Sequence, residues 1–273
     1  MSRRCLYICA GLTMLVSPVL ADVTFSGSAA NPASGNTDDA SVMFSLAGST
    51  LTVVLSNTTT AADINKKFVP TDVLTAVFFG TQQIAATPIS ATLTNGSSEI
   101  DPNGSKYSGT QPLGGEWGYA DNISIADGNA TLLNGISSSG LNGLFGHGNF
   151  GCTTGKNGTC DSLSGIPWGI VPTPFPPPQG INSGVAGPVE SNSVTFALTV
   201  GQGFSLNSIQ DVRFQYGTAT TEFFTQGTEG NGQEDLPEPR FGGAVGMILG
   251  TLLLWQGWQR RRALTQFLRI TSI

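Results

Sequence analysis

The sequence predicts an all-β fold, a two-sheet antiparallel sandwich, followed by a single C-terminal transmembrane helix. Three observations predict it. Hydrophobic residues make up 39% of the chain and charged residues only 11%, so the polar surface is built from Ser, Thr, Asn, Gln and Gly rather than from ion pairs. The 36 Gly and 15 Pro suit strands joined by many turns and disfavour long helices, which need Ala, Leu, Glu and Lys. Apolar and polar residues alternate with period two in several segments, the mark of half-buried strands. At 273 residues, one large β domain accounts for the body.

Residues 1–21 follow the order of a secretory signal peptide. Arg3 and Arg4 come first, then an apolar run from Leu6 to Val16, then Val19-Leu20-Ala21. Small side chains at the last position and two before it fit a signal peptidase, which places cleavage between Ala21 and Asp22. Cys5 and Cys9 leave with this segment.

The β-sandwich domain is expected over 22–224. Val42, Phe44 and Leu46, then Leu51, Val53 and Leu55 across Ala47-Gly48-Ser49-Thr50, predict a hairpin with a four-residue turn. A short helix is expected over 63–68. Residues 73–79 are apolar on both parities and predict a central strand covered on both faces. Further strands are expected at 84–93, 122–126 and 131–133. The segment 137–188 is Gly-rich and then Pro-rich, and proline lacks the donor a ladder needs, so it reads as a loop or insertion on one edge. The alternation at Val194, Phe196, Leu198 and Val200, and again at Val212, Phe214 and Tyr216, predicts two neighbouring strands. Residues 225–235, polar and acidic, read as a flexible stalk.

The run 241–258 carries no charge, and eighteen residues at about 1.5 Å rise span about 27 Å, close to the ~30 Å of a hydrocarbon core. It predicts a transmembrane helix with Trp255 and Trp258 at the interface. Arg260, Arg261 and Arg262 follow at once and act as a cytoplasmic stop by the positive-inside rule. The body then lies outside, in agreement with the signal peptide. Between Asp22 and Arg240 there are eighteen acidic residues and six bases, a net charge of −12. Nucleic acid is excluded as a partner, because phosphate binding needs clustered Lys and Arg.

Just before the span stand Pro237, Glu238 and Pro239. Two prolines around a glutamate hold an extended backbone at the membrane face, where a protease can reach it. The tripeptide, the apolar span and the arginine cluster, over 236–262, resemble the PEP-CTERM sorting domain. That resemblance implies an exosortase partner, which removes the tail and passes the body to the cell surface or an exopolysaccharide matrix. Members of that family usually stop soon after the arginines, whereas here 263–273 continues, either as an inert cytoplasmic extension or as a feature that weakens processing and leaves the span as a tether. A second resemblance covers the body: Asp38-Asp39, Ser56-Asn57-Thr58, Asp72 with the apolar run after it, and Phe214-Gln215-Tyr216-Gly217-Thr218 with Glu222 are similar to a family of exosortase-dependent surface proteins named for an Asp-Asp motif. It implies location and no enzymatic role.

Catalytic residues are expected to be absent. His147, the one histidine, sits in Gly146-His147-Gly148, no nucleophile elbow appears, and a glycine loop is a poor mount for a general base. Glu99, Asp101, Glu116 and Asp121 could supply a glycosidase pair, and Asp101-Pro102-Asn103-Gly104-Ser105 and Asp127-Gly128-Asn129 could offer oxygens to calcium, but turn formation explains these two stretches equally well. Cys152 and Cys160 remain after signal cleavage, and an oxidising compartment favours their pairing as a disulfide. Two sulfurs and His147 fall short of a metal's four ligands, and no cofactor is expected. The leading expectation is thus an exported, non-enzymatic surface or matrix protein. The alternative is a carbohydrate-binding or glycan-hydrolysing body, which would display Trp117, Tyr119 and Trp168 together on one exposed face.

Overall fold

A computed structural model describes residues 21–64, 68–101, 105–107, 113–127, 130–151, 160, 162–173 and 188–230. The described chain is all-β. Its strands are β1 (Ala21–Ala30), β2 (Thr37–Ala47), β3 (Thr50–Asn57), β4 (Leu74–Phe79), β5 (Ala86–Leu93), β6 (Ser98–Ile100), β7 (Gly118–Ala120), β8 (Ile125–Asp127), β9 (Ala130–Leu132), β10 (Asn134–Ser137), β11 (Ile170–Val171), β12 (Val189–Ser191), β13 (Ser193–Val200), β14 (Arg213–Tyr216), β15 (Phe224–Gln226) and β16 (Thr228–Glu229).

One sheet runs β16-β1-β2-β3-β13-β5, and the other runs β15-β14-β4-β11-β12-β6 with β10 and β7 branching from β4. The first sheet rests on long alternating segments. In β3 every second residue is buried, so Leu51, Val53 and Leu55 face the core while Thr50, Thr52 and Val54 stay half-buried, as period two requires. The β2–β3 hairpin closes with Ala47 opposite Thr50, and Gly48 takes φ +61° in the turn, a backbone conformation that suits glycine. Strand β4 is buried along its whole length because it pairs with β14, β10 and β11 and is covered on both faces. Aromatic contacts knit the two sheets: Phe44 of β2 meets Phe79 of β4 at 5.0 Å between ring centres, and Trp117 meets Phe196 of β13 at the same distance. Each such side chain contributes roughly 1.5–3 kcal/mol by leaving water.

Several expectations are corrected. The alternating segments that end in Val200 and Tyr216 are not neighbours: β13 lies between β3 and β5, whereas β14 lies between β15 and β4 in the other sheet. Alternation reveals a strand's buried face and is silent about which strand it pairs with. The segment 137–188 is not merely an edge loop. Its β11 sits inside the second sheet, and Phe145, Phe150, Ile166, Trp168, Ile170 and Val171 are buried. The β11–β12 pair is parallel, an exception to the antiparallel expectation. The stalk does not begin at 225, because β15 and β16 continue the sheets through Glu229, and residues 231–235 lie outside the described residues. No helix forms over the described part of 63–68: Asp63 ends a turn, Ile64 and Phe68 are irregular, and 65–67 lie outside the described residues. The hairpin, the central strand and the strands near 84–93 and 131–133 fall where expected, and the strand expected at 122–126 starts at Ile125.

Candidate functional site

The densest buried polar cluster joins the turn between β1 and β2 to the approach to β4. The sequence Asn31-Pro32-Ala33-Ser34-Gly35-Asn36 folds as a turn because the Asn31 side-chain oxygen accepts the Ala33 N–H at 3.0 Å and the Gly35 N–H reaches the Asn31 carbonyl at 2.7 Å. Such Asx geometry is local and inexpensive. It aims the Asn31 amide inward, where Nδ2 donates to Asp38 Oδ2 at 2.9 Å, to the Thr71 carbonyl at 2.7 Å and to Asp72 Oδ1 at 3.1 Å. Asn36 Nδ2 donates to Asp72 Oδ2 at 3.0 Å, and the Val69 N–H donates to the same oxygen at 2.9 Å. Asn31, Asn36, Asp38 and Asp72 are all fully buried.

The two carboxyl groups differ electrostatically. Burial pushes Asp38 up to about 8, helped by the nearby charge of Asp72 and opposed by the Asn31 hydrogen bond. Burial also raises Asp72, but hydrogen bonds from Ser34, Val69, Asn36 and Asn31 oppose it. At neutral pH Asp38 therefore keeps its proton while Asp72 is the better seat for the negative charge. Among the described residues Asp38 Oδ1 has no hydrogen-bond partner, and neither has the buried hydroxyl of Tyr216, which burial and then the charges of Asp38, Asp39 and Asp72 push well above the usual phenol range. With no exposed member among the four, the cluster cannot touch a dissolved substrate. Its chemistry is a lock that fastens the β1–β2 turn to the residues preceding β4. Asp39, the next residue on β2, is half-buried and points away, beside a groove of about 490 Å³ lined by Ser26, Ser28, Thr58 and Gln226.

The other predicted residues fall as follows. His147 is exposed, and among the described residues it forms a backbone bridge with Ser162 and no side-chain hydrogen bond that would orient it as a base. Trp117, Tyr119 and Trp168 are buried and form no exposed aromatic platform. Glu116 is buried and accepts the Ser164 hydroxyl at 3.1 Å. Asp101 Oδ1 accepts the Ser105 N–H at 2.8 Å, as a turn residue does. Asp127 ends β8 in the hairpin to β9, while Asn129 lies outside the described residues. Glu99 is brought opposite Glu190. Cys160 is disulfide-bonded, and Cys152 lies outside the described residues. So do Pro237, Glu238, Pro239, the span 241–258 and Arg260–262. Among the described residues no helix is long and apolar enough to cross a membrane, and no group of three or more His, Cys, Asp or Glu is placed to hold a metal.

Sequence reasoning missed Asn31, Asn36 and Glu190, and it named Tyr216 only as a strand residue and within the 214–218 resemblance. Asn31 and Asn36 carried a turn signal around Pro32 and Gly35, but nothing local announces that their amides reach Asp72. Glu190 carried no signal at all. No family model matches the chain, and no curated protein matches it.

Proposed function

We propose that this is an exported bacterial protein of the cell surface or extracellular matrix, sorted and cut by an exosortase, whose two-sheet sandwich body has a non-enzymatic structural or interaction role. One observation carries the reading. Pro237-Glu238-Pro239, the uncharged run 241–258 and Arg260–262 stand in that order, a short polar stretch after the last strand, Thr228–Glu229. A protease at the membrane face needs an extended backbone outside any fold, and the two prolines favour that backbone. The beginning of β1 at Ala21 is consistent with cleavage before Asp22, since only its first residue would be lost.

The partners are an exosortase, the membrane through the span before processing, and an exopolysaccharide or other surface glycan afterwards. The buried positions of Trp117, Tyr119 and Trp168 remove the feature that would have favoured a sugar-binding or sugar-hydrolysing body. In an exosortase-positive host, the wild type should leave the membrane fraction, while a variant with Pro237→Ala, Glu238→Ala and Pro239→Ala together should stay in it. Equal partitioning of the two would overturn the sorting claim.

A further inference from the structure

The strand pair β12–β6 places two acids face to face. Glu190 of β12 lies directly opposite Glu99 of edge strand β6 in the antiparallel ladder, where Cβ atoms stand about 4.5–5.5 Å apart. Opposed residues share a face, so both carboxyl groups extend to the same side of the sheet. That side is the one Ile170 takes in the β11–β12 ladder, and Ile170 belongs to the core shared by the two sheets.

Glu190 is fully buried, and neither of its carboxylate oxygens has a hydrogen-bond partner among the described residues. Its own N–H is committed to the Gly169 carbonyl at 2.9 Å. Glu99 is half-buried, and residues 105–107 flank β6 beyond it, with Lys106 bridging Ile100 and the Tyr107 N–H donating to the Glu99 carbonyl at 3.0 Å, so the pair has a closed inner end and an outer one that is only partly open to water. The described Lys and Arg residues are Lys106 and Arg213. Lys106 bridges Ile100 beside Glu99 but its residue is exposed, and Arg213 lies on β14, at the far side of the same sheet from β6. Burial, and then the charge of Glu99, raise Glu190 to about 9, while burial alone raises Glu99.

A buried carboxyl group can be stabilised by donors, by a proton or by a cation. No hydrogen-bond donor among the described residues reaches the Glu190 carboxyl group. We propose that Glu190 and Glu99 together hold a hard divalent cation, calcium in preference to magnesium, with Glu190 supplying both oxygens from the closed side and Glu99 closing from the edge, where water completes the shell. Calcium accepts bidentate carboxylates and irregular oxygen shells, whereas magnesium demands a near-ideal octahedron. The pair shares no residue with the Asp38–Asp72 lock, and the inference does not depend on export.

The test uses the full-length chain, stripped of divalent cations with a chelator, and reads the melting temperature as CaCl2 or MgCl2 is added. A calcium level tenfold above Kd should raise Tm by about 3–6 °C, and magnesium should do less. Glu190→Gln preserves shape and removes the buried charge, and it should abolish the calcium shift. Glu99→Gln should weaken it at least about tenfold in Kd, while Asp38→Asn should leave it intact. The proposal is overturned by a wild type that ignores both ions at about 5 mM, above the ~1 mM weak limit of extracellular calcium modules, since a shared proton then suffices. A calcium shift that survives Glu190→Gln, or that disappears in Asp38→Asn, overturns it equally by placing the ion elsewhere.

Discussion

Asp72 and Glu190 are both fully buried acids, yet among the described residues one is surrounded by donors and the other has none. Asp72 ends a short 3-10 turn, outside any ladder, where the Val69 N–H and the amides of Asn31 and Asn36 are free to converge on it. Glu190 lies within a strand whose backbone donors are committed to neighbouring strands. A carboxyl group at a strand's approach can recruit backbone and amide N–H groups. One in mid-ladder depends on side chains alone, and here the opposing side chain is another acid. The difference separates a structural lock from a site that calls for an external partner.

The largest effect should come from breaking the lock. Asp72→Ala removes the acceptor of the Asn36 amide and of the half-buried Val69 N–H, while the Asn31 amide keeps Asp38 and the Thr71 carbonyl; at about 1–3 kcal/mol per lost buried partner, urea unfolding at pH 7 should show a loss of about 2 kcal/mol or more. A loss below about 1 kcal/mol would mean that the network contributes little to stability.

The comparison sharpens with pH. Asp38 stands at about 8 against an ordinary 3.8, and Glu190 at about 9 against 4.5. Both groups favour the folded state when protonated, so the stability they lend is complete below about pH 4 and is lost as pH rises through about 8 and about 9. Without divalent cations, Tm should fall across that window. Asp38→Asn should flatten its share of the fall, which runs from about pH 4 and ends near pH 8, and Glu190→Gln the share that continues to about pH 9. A flat wild-type profile would contradict the assignment of both protons.

A smaller effect is expected at Asn57. Its Nδ2 donates to the Ile170 carbonyl at 3.1 Å and its Oδ1 accepts the Thr59 N–H at 3.2 Å, which ties β3 of one sheet to β11 of the other. Asn57→Ala should cost about 1–2 kcal/mol, measured by the same unfolding series. His147→Ala should change stability by less than about 0.5 kcal/mol, and a larger change would show that this exposed loop residue has a partner.

The first sheet was legible because its strands are long and half-exposed: β2, β3 and β13 carry the alternation that a two-faced environment imposes. The second sheet was mostly illegible. Strands of two to four residues such as β10, β11 and β12 are too short for a period to emerge, and β11 owes its place to the tertiary fold rather than to its own pattern. The segment 137–188 looked like a loop because of its glycines, yet some of them allow close packing: a Cβ at Gly148 would run into the Gly115 carbonyl. Asp38 and Asp72 stood out in the sequence through a family resemblance. Asn31 and Glu190 did not, because their importance lies in what the fold sets against them.

The most direct measurement is the intact mass of the mature protein recovered from an exosortase-positive host. The account predicts a chain that begins at Asp22 and ends near Pro239, without the span and arginines. A soluble chain that still carries 241–262, its apolar run packed into the globule, would contradict it.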